Sequence, residues 1–187
     1  MRSSPIRLVT LLVVVSALVS VPLGAYPAGP PPGSTGGFGE STCVLCHKSY
    51  GLNAGKGLGL GDLLISGFPN QYEPGKTYPI KLEITHTKDR MFWGFQLTSR
   101  LKGAGTQAGE LKPKDTNTQV LVEKIIQYLG HTAEGIFSSV FEFIWVAPTG
   151  PAGDIIIDAA GNAANGDGSP TGDYIYSTRV TISAMSK

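Results

Sequence analysis

The feature that most constrains the fold of this chain is a two-residue alternation of apolar and polar side chains. It is clearest from Tyr78 to His86, where every second residue is tyrosine, isoleucine or leucine up to the final histidine. This period places apolar side chains on one face of a β-strand. Strands are likewise predicted at residues 93–98, 119–129, 136–147, 154–158 and 174–182.

The breaks between these segments contain the residues that turns require. The chain has 25 glycines and 13 prolines, and several of them fall in the breaks at 73–75, 102–105, 148–151 and 165–168. Short strands separated by such turns are typical of an antiparallel β-sandwich, for which about seven or eight strands are expected here. The sequence therefore predicts an all-β fold.

Residues 1–25 have the organisation of a secretory signal peptide. Arg2 and Arg7 supply a positive start, residues 8–21 are almost entirely apolar, and Ala25 ends a Leu-Gly-Ala triplet suited to cleavage. The apolar stretch is shorter than the ~20 residues that a membrane-spanning helix needs. We expect export to the periplasm or beyond it and cleavage after Ala25, with an uncleaved N-terminal anchor as the alternative.

The charge balance does not favour a nucleic acid or an anionic membrane as partner. Removing residues 1–25 takes away two arginines and no acid, which leaves 13 basic against 14 acidic residues, a net charge of −1. Nucleic acids and anionic membranes attract strongly basic surfaces, so neither is an expected partner. After the signal, the sequence predicts a Pro/Gly linker at 26–39, an irregular attachment segment at 40–61, and the sandwich at 62–187.

The attachment segment contains the motif Cys43-Val44-Leu45-Cys46-His47. C-x-x-C-H is the attachment signature of c-type haem: two thiols three residues apart form thioethers with one porphyrin, and the adjacent histidine ligates the iron. One covalent haem c, held by Cys43, Cys46 and His47, is the favoured interpretation. A Cys43–Cys46 disulfide, a thioredoxin-like pair and a zinc site are the alternatives.

A haem iron bound by His47 either takes a sixth ligand from the rest of the chain or stays five-coordinate, and the sequence offers four candidate ligands. The alternation places His86 on the apolar face of its predicted strand, so it is the favoured candidate. His131 lies at a turn or strand edge and is the weaker candidate. Met91 and Met185 complete the set.

Two further kinds of site find less support. Residues 162–173 carry the oxygen donors Asn162, Asn165, Asp167 and Asp173, but they lack the spacing and the closing glutamate of an EF-hand, so turn formation is the favoured interpretation over calcium binding. Three histidines and scattered serines form no recognisable catalytic triad, so an enzyme is not favoured.

Several segments together resemble the bacterial Reeler-like proteins, also described as choice-of-anchor V domain proteins. The segments are GESTCVLCH, YEPGKTYPIKLEITH, WGFQLTSRL, FEFIWVAPTGPAGDIII and GNAANGDGSPTGDYIY, and they span about residues 35–185. The resemblance implies an immunoglobulin-like antiparallel β-sandwich preceded by the haem-binding segment. It also implies a structural role for His131, whose surroundings LGHTAEG match a histidine of Reeler domains without haem.

Two functions follow from these features. The first is an exported monohaem cytochrome that transfers electrons to an unidentified redox partner protein. The second is an extracytoplasmic binding or adhesion module of Reeler-like fold, in which Cys43 and Cys46 form a disulfide.

Overall fold

The computed structural model describes residues 26–150 and 152–184. The predicted signal peptide and the candidate ligand Met185 lie outside the described residues. Within them the chain forms ten β-strands, a four-residue helix α1 (Ala54–Gly57) and two short 3-10 turns (Cys43–Leu45 and Gly135–Phe137). The strands are β1 (Gly61–Ser66), β2 (Gln71–Tyr72), β3 (Thr77–His86), β4 (Phe92–Leu101), β5 (Glu110–Pro113), β6 (Thr118–Glu123), β7 (Ile126–His131), β8 (Val140–Val146), β9 (Ile155–Ala164) and β10 (Tyr174–Ala184).

The strands form two sheets that pack face to face. The smaller sheet has the order β1-β3-β8-β5, and the larger has the order β2-β10-β9-β4-β7-β6. All pairs are antiparallel except the short pairing of β2 with β10. The all-β antiparallel sandwich predicted from the sequence is confirmed. No helix among the described residues has the length and apolar character needed to span a bilayer.

The core lies between the sheets and follows the predicted alternation. In β3 the odd-numbered residues from Thr77 to Lys81 are exposed, and the even-numbered ones are buried as far as Ile84. Each large apolar side chain buried in this way stabilises the fold by roughly 1.5–3 kcal/mol. The largest fully buried side chains are Trp145, Tyr72, Tyr176, Phe95, Phe141, Phe143, Leu63, Leu82, Ile84, Leu97, Leu111 and Leu129.

Three strand predictions need correction. Residues 119–129 form the β6–β7 hairpin rather than one strand, because Lys124 adopts a left-handed turn conformation with φ of 56°. The short strand predicted at 154–158 continues to Ala164 as a central strand between β4 and β10. Its second half lacks large apolar residues because space is short there: a Cβ on Gly161 would lie 2.9 Å from Ile84 Cδ1. Strands β1, β2 and β5 were not predicted.

The N-terminal segment crosses the outer face of the larger sheet. Gln96 and Arg100 alternate in β4 with the core residues Phe95 and Leu97, so they point away from the core. Gln96 Nε2 donates to the carbonyls of Pro30 and Pro31 at 3.2 and 3.0 Å. Arg100 pairs with Glu40. These contacts hold residues 26–47 on the sheet and so position the cysteine motif.

Candidate cofactor site

The cysteine motif begins with a single 3-10 turn. Thr42 caps this turn, because its hydroxyl accepts a hydrogen bond from the Val44 N–H at 3.3 Å. The Cys43 carbonyl then accepts from the N–H groups of Cys46 and His47, at 3.2 and 3.0 Å. The turn therefore brings both thiols and the imidazole into contact with one groove on the outer face of the sheet.

His47 is held by a buried carboxylate. Its Nδ1 lies 2.7 Å from Oδ2 of Asp173, whose side chain is 1% exposed. The other oxygen of Asp173 accepts from the Asn165 N–H at 2.9 Å. Among the described residues no hydrogen bond engages His47 Nε2. Because Asp173 binds Nδ1, Nε2 is the nitrogen that is available to ligate a metal.

The two cysteines are free thiols, both partly buried. The disulfide alternative is therefore not what the structure contains. Burial raises the pKa of the Cys43 thiol to about 12, with the nearby Cys46 adding to the effect. The folded, cofactor-free protein thus keeps Cys43 protonated at neutral pH.

The groove has a volume of about 260 Å³ and is mostly apolar. The residues that line it include Leu45, Phe92 and Gly94. Small-molecule pockets usually span roughly 300–1,000 Å³, so a large planar group bound here would project beyond the groove.

His131 lines the same groove, and its ring packs closely against Gly94. A Cβ on Gly94 would meet His131 Cε1 at 2.7 Å. His131 Nδ1 accepts from the Phe95 N–H at 3.0 Å, and Nε2 lies 3.3 Å from the Tyr26 carbonyl oxygen. Burial lowers the pKa of His131, which favours the neutral ring. Because Nδ1 accepts from the Phe95 N–H, the ring proton lies on Nε2 and donates to the Tyr26 carbonyl.

His86, the favoured sixth ligand from the sequence, lies elsewhere. It borders a separate depression that includes Lys56 and Asp62, and its ring packs against Tyr174 with centroids 4.8 Å apart. His86 lies on the predicted face of β3. At this position, however, that face is at the end of the sandwich and not at the groove on the outer face of the larger sheet. Met91 is 61% exposed.

The oxygen donors of residues 162–173 are used in several ways. Asp167 Oδ1 accepts from the Ser169 N–H at 2.8 Å, and Asn165 Nδ2 donates to Asp167 Oδ2 at 3.1 Å. Asp173 accepts a hydrogen bond from His47, and Asn162 lines the groove. The described part of the chain holds no cluster of three or more histidine, cysteine or acidic side chains arranged for a metal ion.

The residues of the groove fit a c-type haem. Both thiols and His47 line one apolar groove, and the histidine is oriented by a carboxylate, as haem and metal ligands usually are. Apolar side chains at the rim are left uncovered: Leu45 and Tyr26 are 63% and 56% exposed. Cys43, Cys46 and His47 would hold the group, and Leu45 and Phe92 would contact it.

Sequence reasoning missed three residues of this site. Asp173 was considered only as a calcium donor, although its position directly before the alternating strand β10 places it at the end of the sheet where that strand begins. Asn162 was likewise considered only as a calcium donor, and it lies in the half of β9 that is too poor in apolar residues to be predicted as a strand. Tyr26 was assigned to a linker, and nothing in the sequence marks it as part of a groove.

No protein-family profile and no curated protein sequence gives a significant match to the chain. Solved structures do show similar folds. The human F-spondin reeler domain is 19% identical with a TM-score of 0.49, covering 67% of this chain and 88% of that chain. A conjugative transposon lipoprotein from Bacteroides eggerthii is 13% identical with a TM-score of 0.42, covering 65% and 95%.

A type I cohesin–dockerin complex from Clostridium thermocellum also contains a similar chain. It is 13% identical with a TM-score of 0.39, covering 67% of this chain and 99% of that chain. The reeler domain is thus among the structures to which this chain is similar. At these identities and scores, the likenesses say nothing of what the chain binds or does.

Proposed function

We propose that the groove is the attachment site of one covalent c-type haem and that the chain is an exported electron-transfer protein. The observation that carries the proposal is the meeting of Cys43, Cys46 and His47 on one apolar groove. When bound, the haem supplies a one-electron redox centre whose potential its ligands and surroundings set.

The spacing of the two thiols suits the attachment chemistry. The Cys43 carbonyl accepts hydrogen bonds from both Cys46 and His47, so the three residues occupy a single tight turn. Thioether bonds from this turn would fix the group beside the imidazole without further contacts. The free state of both cysteines leaves their sulfur atoms available for those bonds.

Asp173 tunes the proximal histidine. A carboxylate that accepts the Nδ1 proton makes the imidazole a stronger donor at Nε2 and prevents the ring from rotating. Because the carboxylate is buried and also bonded to the Asn165 N–H, its position does not depend on solvent. A more basic ligand favours the oxidised iron and lowers the reduction potential.

The shape of the groove favours electron transfer over catalysis. The groove is too small to enclose a porphyrin, so one edge of the group would remain exposed to a partner protein. We expect this partner to dock over the rim, where Leu45 is exposed. Haem attachment of this kind belongs outside the cytoplasm, which agrees with the signal peptide inferred for residues 1–25.

The test is production of the full chain in a bacterium with a periplasmic haem-maturation system. The expected product is red, has a Soret band, and keeps its haem through acid–acetone extraction. The double variant Cys43→Ser/Cys46→Ser removes both attachment atoms and should be colourless after extraction. Ser41→Ala, two residues before the motif and exposed, is the matched control and should retain the haem.

A colourless wild-type protein with both thiols still titratable would reject the proposal, provided that the same cells load haem onto an unrelated c-type cytochrome. Haem that acid–acetone removes from the wild type would also reject it, because thioether-bound haem resists this extraction.

A further inference from the structure

Residues 26–34 are tied to the sheet by several polar side chains, which a simple linker would not need. Gln96 donates from Nε2 to Pro30 and Pro31, and its Oε1 accepts from the Ser34 N–H at 2.7 Å. Gln119 Nε2 donates to the Ala28 carbonyl. Three neighbouring strands, β4, β6 and β7, therefore position the residues that directly follow the inferred cleavage point.

The most N-terminal of these contacts is at Tyr26 itself. Its carbonyl oxygen lies 3.3 Å from His131 Nε2, and it also accepts from the Gly29 N–H at 3.1 Å. Tyr26 and Pro27 line the same groove as Cys43 and His47. Cleavage after Ala25 would therefore place a new α-amino group at the groove.

The other candidate donors are less available. His131 accepts with Nδ1 and donates with Nε2, so neither ring nitrogen has a free lone pair. His86 borders a different depression. Met91 is largely exposed beside Gly166, where it packs against the loop that follows β9.

We propose that the α-amino group of Tyr26 is the second axial ligand of the haem iron, opposite His47. The inference rests on the proposed haem attachment and on cleavage between Ala25 and Tyr26. Hydrolysis of that peptide bond consumes one water and yields the Ala25 carboxylate and the Tyr26 amine. The neutral amine then donates its nitrogen lone pair to the iron, and its extra proton goes to solvent.

His131 then has a positioning role and not a ligand role. Its Nε2–H holds the Tyr26 carbonyl, and its Nδ1 is fixed by the Phe95 N–H, so the ring links the chain terminus to β4. The site is complete only after export and cleavage, because the ligand does not exist in the uncleaved chain.

The direct test is pulsed EPR of the oxidised holoprotein, labelled with [15N]tyrosine and processed normally. The chain has seven tyrosines, but only Tyr26 would carry its labelled nitrogen as an amine at the iron. A strongly coupled 15N signal from the low-spin iron is the expected result. A sample labelled with [15N]histidine should show the coordinated nitrogen of one histidine. Absence of the tyrosine signal, or coordination by two histidines, overturns the proposal.

The supporting variant inserts Gly-Ser-Gly between Ala25 and Tyr26, which moves the amine away while Tyr26 and His131 remain. We expect a shift from a low-spin to a high-spin ferric spectrum, and carbon monoxide binding in the reduced state. The same insertion between Gly103 and Ala104, in an exposed loop, should leave the spectrum unchanged. Mass spectrometry verifies each N-terminus.

The outcomes separate this inference from the proposed function. A protein without covalent haem rejects both. A haem protein that stays low-spin after the N-terminal insertion rejects the amine ligand alone, as does a wild-type protein whose first residue is not Tyr26.

Discussion

The imidazole of His47 and the carboxylate of Asp173 meet at 2.7 Å although 126 positions separate them in the sequence. The contact joins the cysteine motif to the start of β10, the strand that contributes Tyr174 and Tyr176 to the core. Packing of the sandwich therefore determines the orientation of the histidine, and the short N-terminal segment does not need a core of its own.

Replacement of Asp173 by asparagine should destabilise the cofactor-free protein. The amide oxygen can still accept from the Asn165 N–H, but its NH₂ group then faces His47 Nδ1, so the ring loses a charged acceptor and must move its proton to Nε2. Loss of a hydrogen bond to a charged group costs about 1.5–3 kcal/mol. Urea titration of residues 26–187 should show this loss in the free energy of unfolding.

The exposed Asp89 provides the control, because Asp89→Asn changes the same charge without a buried partner. In the holoprotein, Asp173→Asn should also raise the reduction potential, since the proximal histidine becomes a weaker donor. Equal stabilities for the two variants would contradict the structural role of Asp173.

The Cys43 thiol should react slowly with iodoacetamide in folded, reduced, haem-free protein. Its pKa is raised to about 12, chiefly by burial, so the reactive thiolate is scarce at neutral pH. Alkylation of Cys43, followed by mass spectrometry of the peptides, should accelerate steadily as the pH is raised from 7 to 10. Protein unfolded in urea is the reference, and Cys43 must react there at the rate of an ordinary thiol. Rapid alkylation of folded Cys43 at pH 7 would argue against a buried thiol.

Sequence patterns predicted the sandwich because β3 and β8 each have one buried and one more exposed face, which produces a two-residue period in the sequence. The pattern failed in β9, which is covered on both sides. There the neighbouring layers approach so closely that residues 159–164 are alanine, glycine and asparagine, which carry no strand signal. The hairpin at Lys124 was missed because a non-glycine residue occupies its left-handed position.

The attachment motif could be read locally because its chemistry depends on residues within five positions. The rest of the groove could not be predicted in this way, because strand pairing brings its residues together from distant parts of the sequence. Gly94 of β4 pairs with Asn162 of β9, and Phe95 of β4 contacts His131 at the end of β7. His86 was favoured only because it falls on the apolar face of β3. The sequence shows which face of a strand a residue occupies, but not which end of the sandwich a cofactor covers.

Stability should fall with acid in part because of His131. Burial lowers its pKa from the ordinary 6.5, so the unfolded chain takes up a proton near that pH while the folded protein does not. The free energy of unfolding should therefore be unaffected by this group at pH 8 and decrease below about pH 6.5, by at most about 1.4 kcal/mol per pH unit. His131→Asn should flatten the slope, measured by urea titration between pH 8 and 5.

His86 has a lowered pKa as well, chiefly through burial, so His86→Asn removes a separate part of the slope and serves as the comparison. An unchanged slope in His131→Asn would mean that the ring is not buried in the neutral form.

Replacement of Gly94 by alanine should close part of the groove. The new Cβ would lie 2.7 Å from His131 Cε1, and the ring has no free direction because Phe95 and Tyr26 hold it. Such overpacking costs about 1–3 kcal/mol. Thermal or urea unfolding should show the loss, whereas Gly103→Ala, with no atom within 4 Å of its new Cβ, should be nearly neutral. Equal effects of the two substitutions would contradict the close packing above Gly94.

Glu40 should be the strongest single anchor of the attachment segment. Its carboxylate accepts from Arg100 and from the Tyr128 hydroxyl at 2.7 Å on one oxygen, and from Thr35 at 2.5 Å on the other. The Arg100 side chain is only 8% exposed, so Glu40→Ala leaves a buried guanidinium without its counter-charge. Removing one partner of a buried pair costs about 3–5 kcal/mol.

The exposed pair of Lys114 with Glu142 allows a matched comparison, because an ion pair in water contributes only about 0–1 kcal/mol. Glu40→Ala should therefore destabilise the protein several times more than Glu142→Ala in urea titrations. It should also make residues 35–42 the first site of cleavage in limited proteolysis, since the segment loses its bond to β4 and β7. Stability and cleavage patterns equal to those of Glu142→Ala would show that the proline and glutamine contacts of residues 28–34 hold the segment without Glu40.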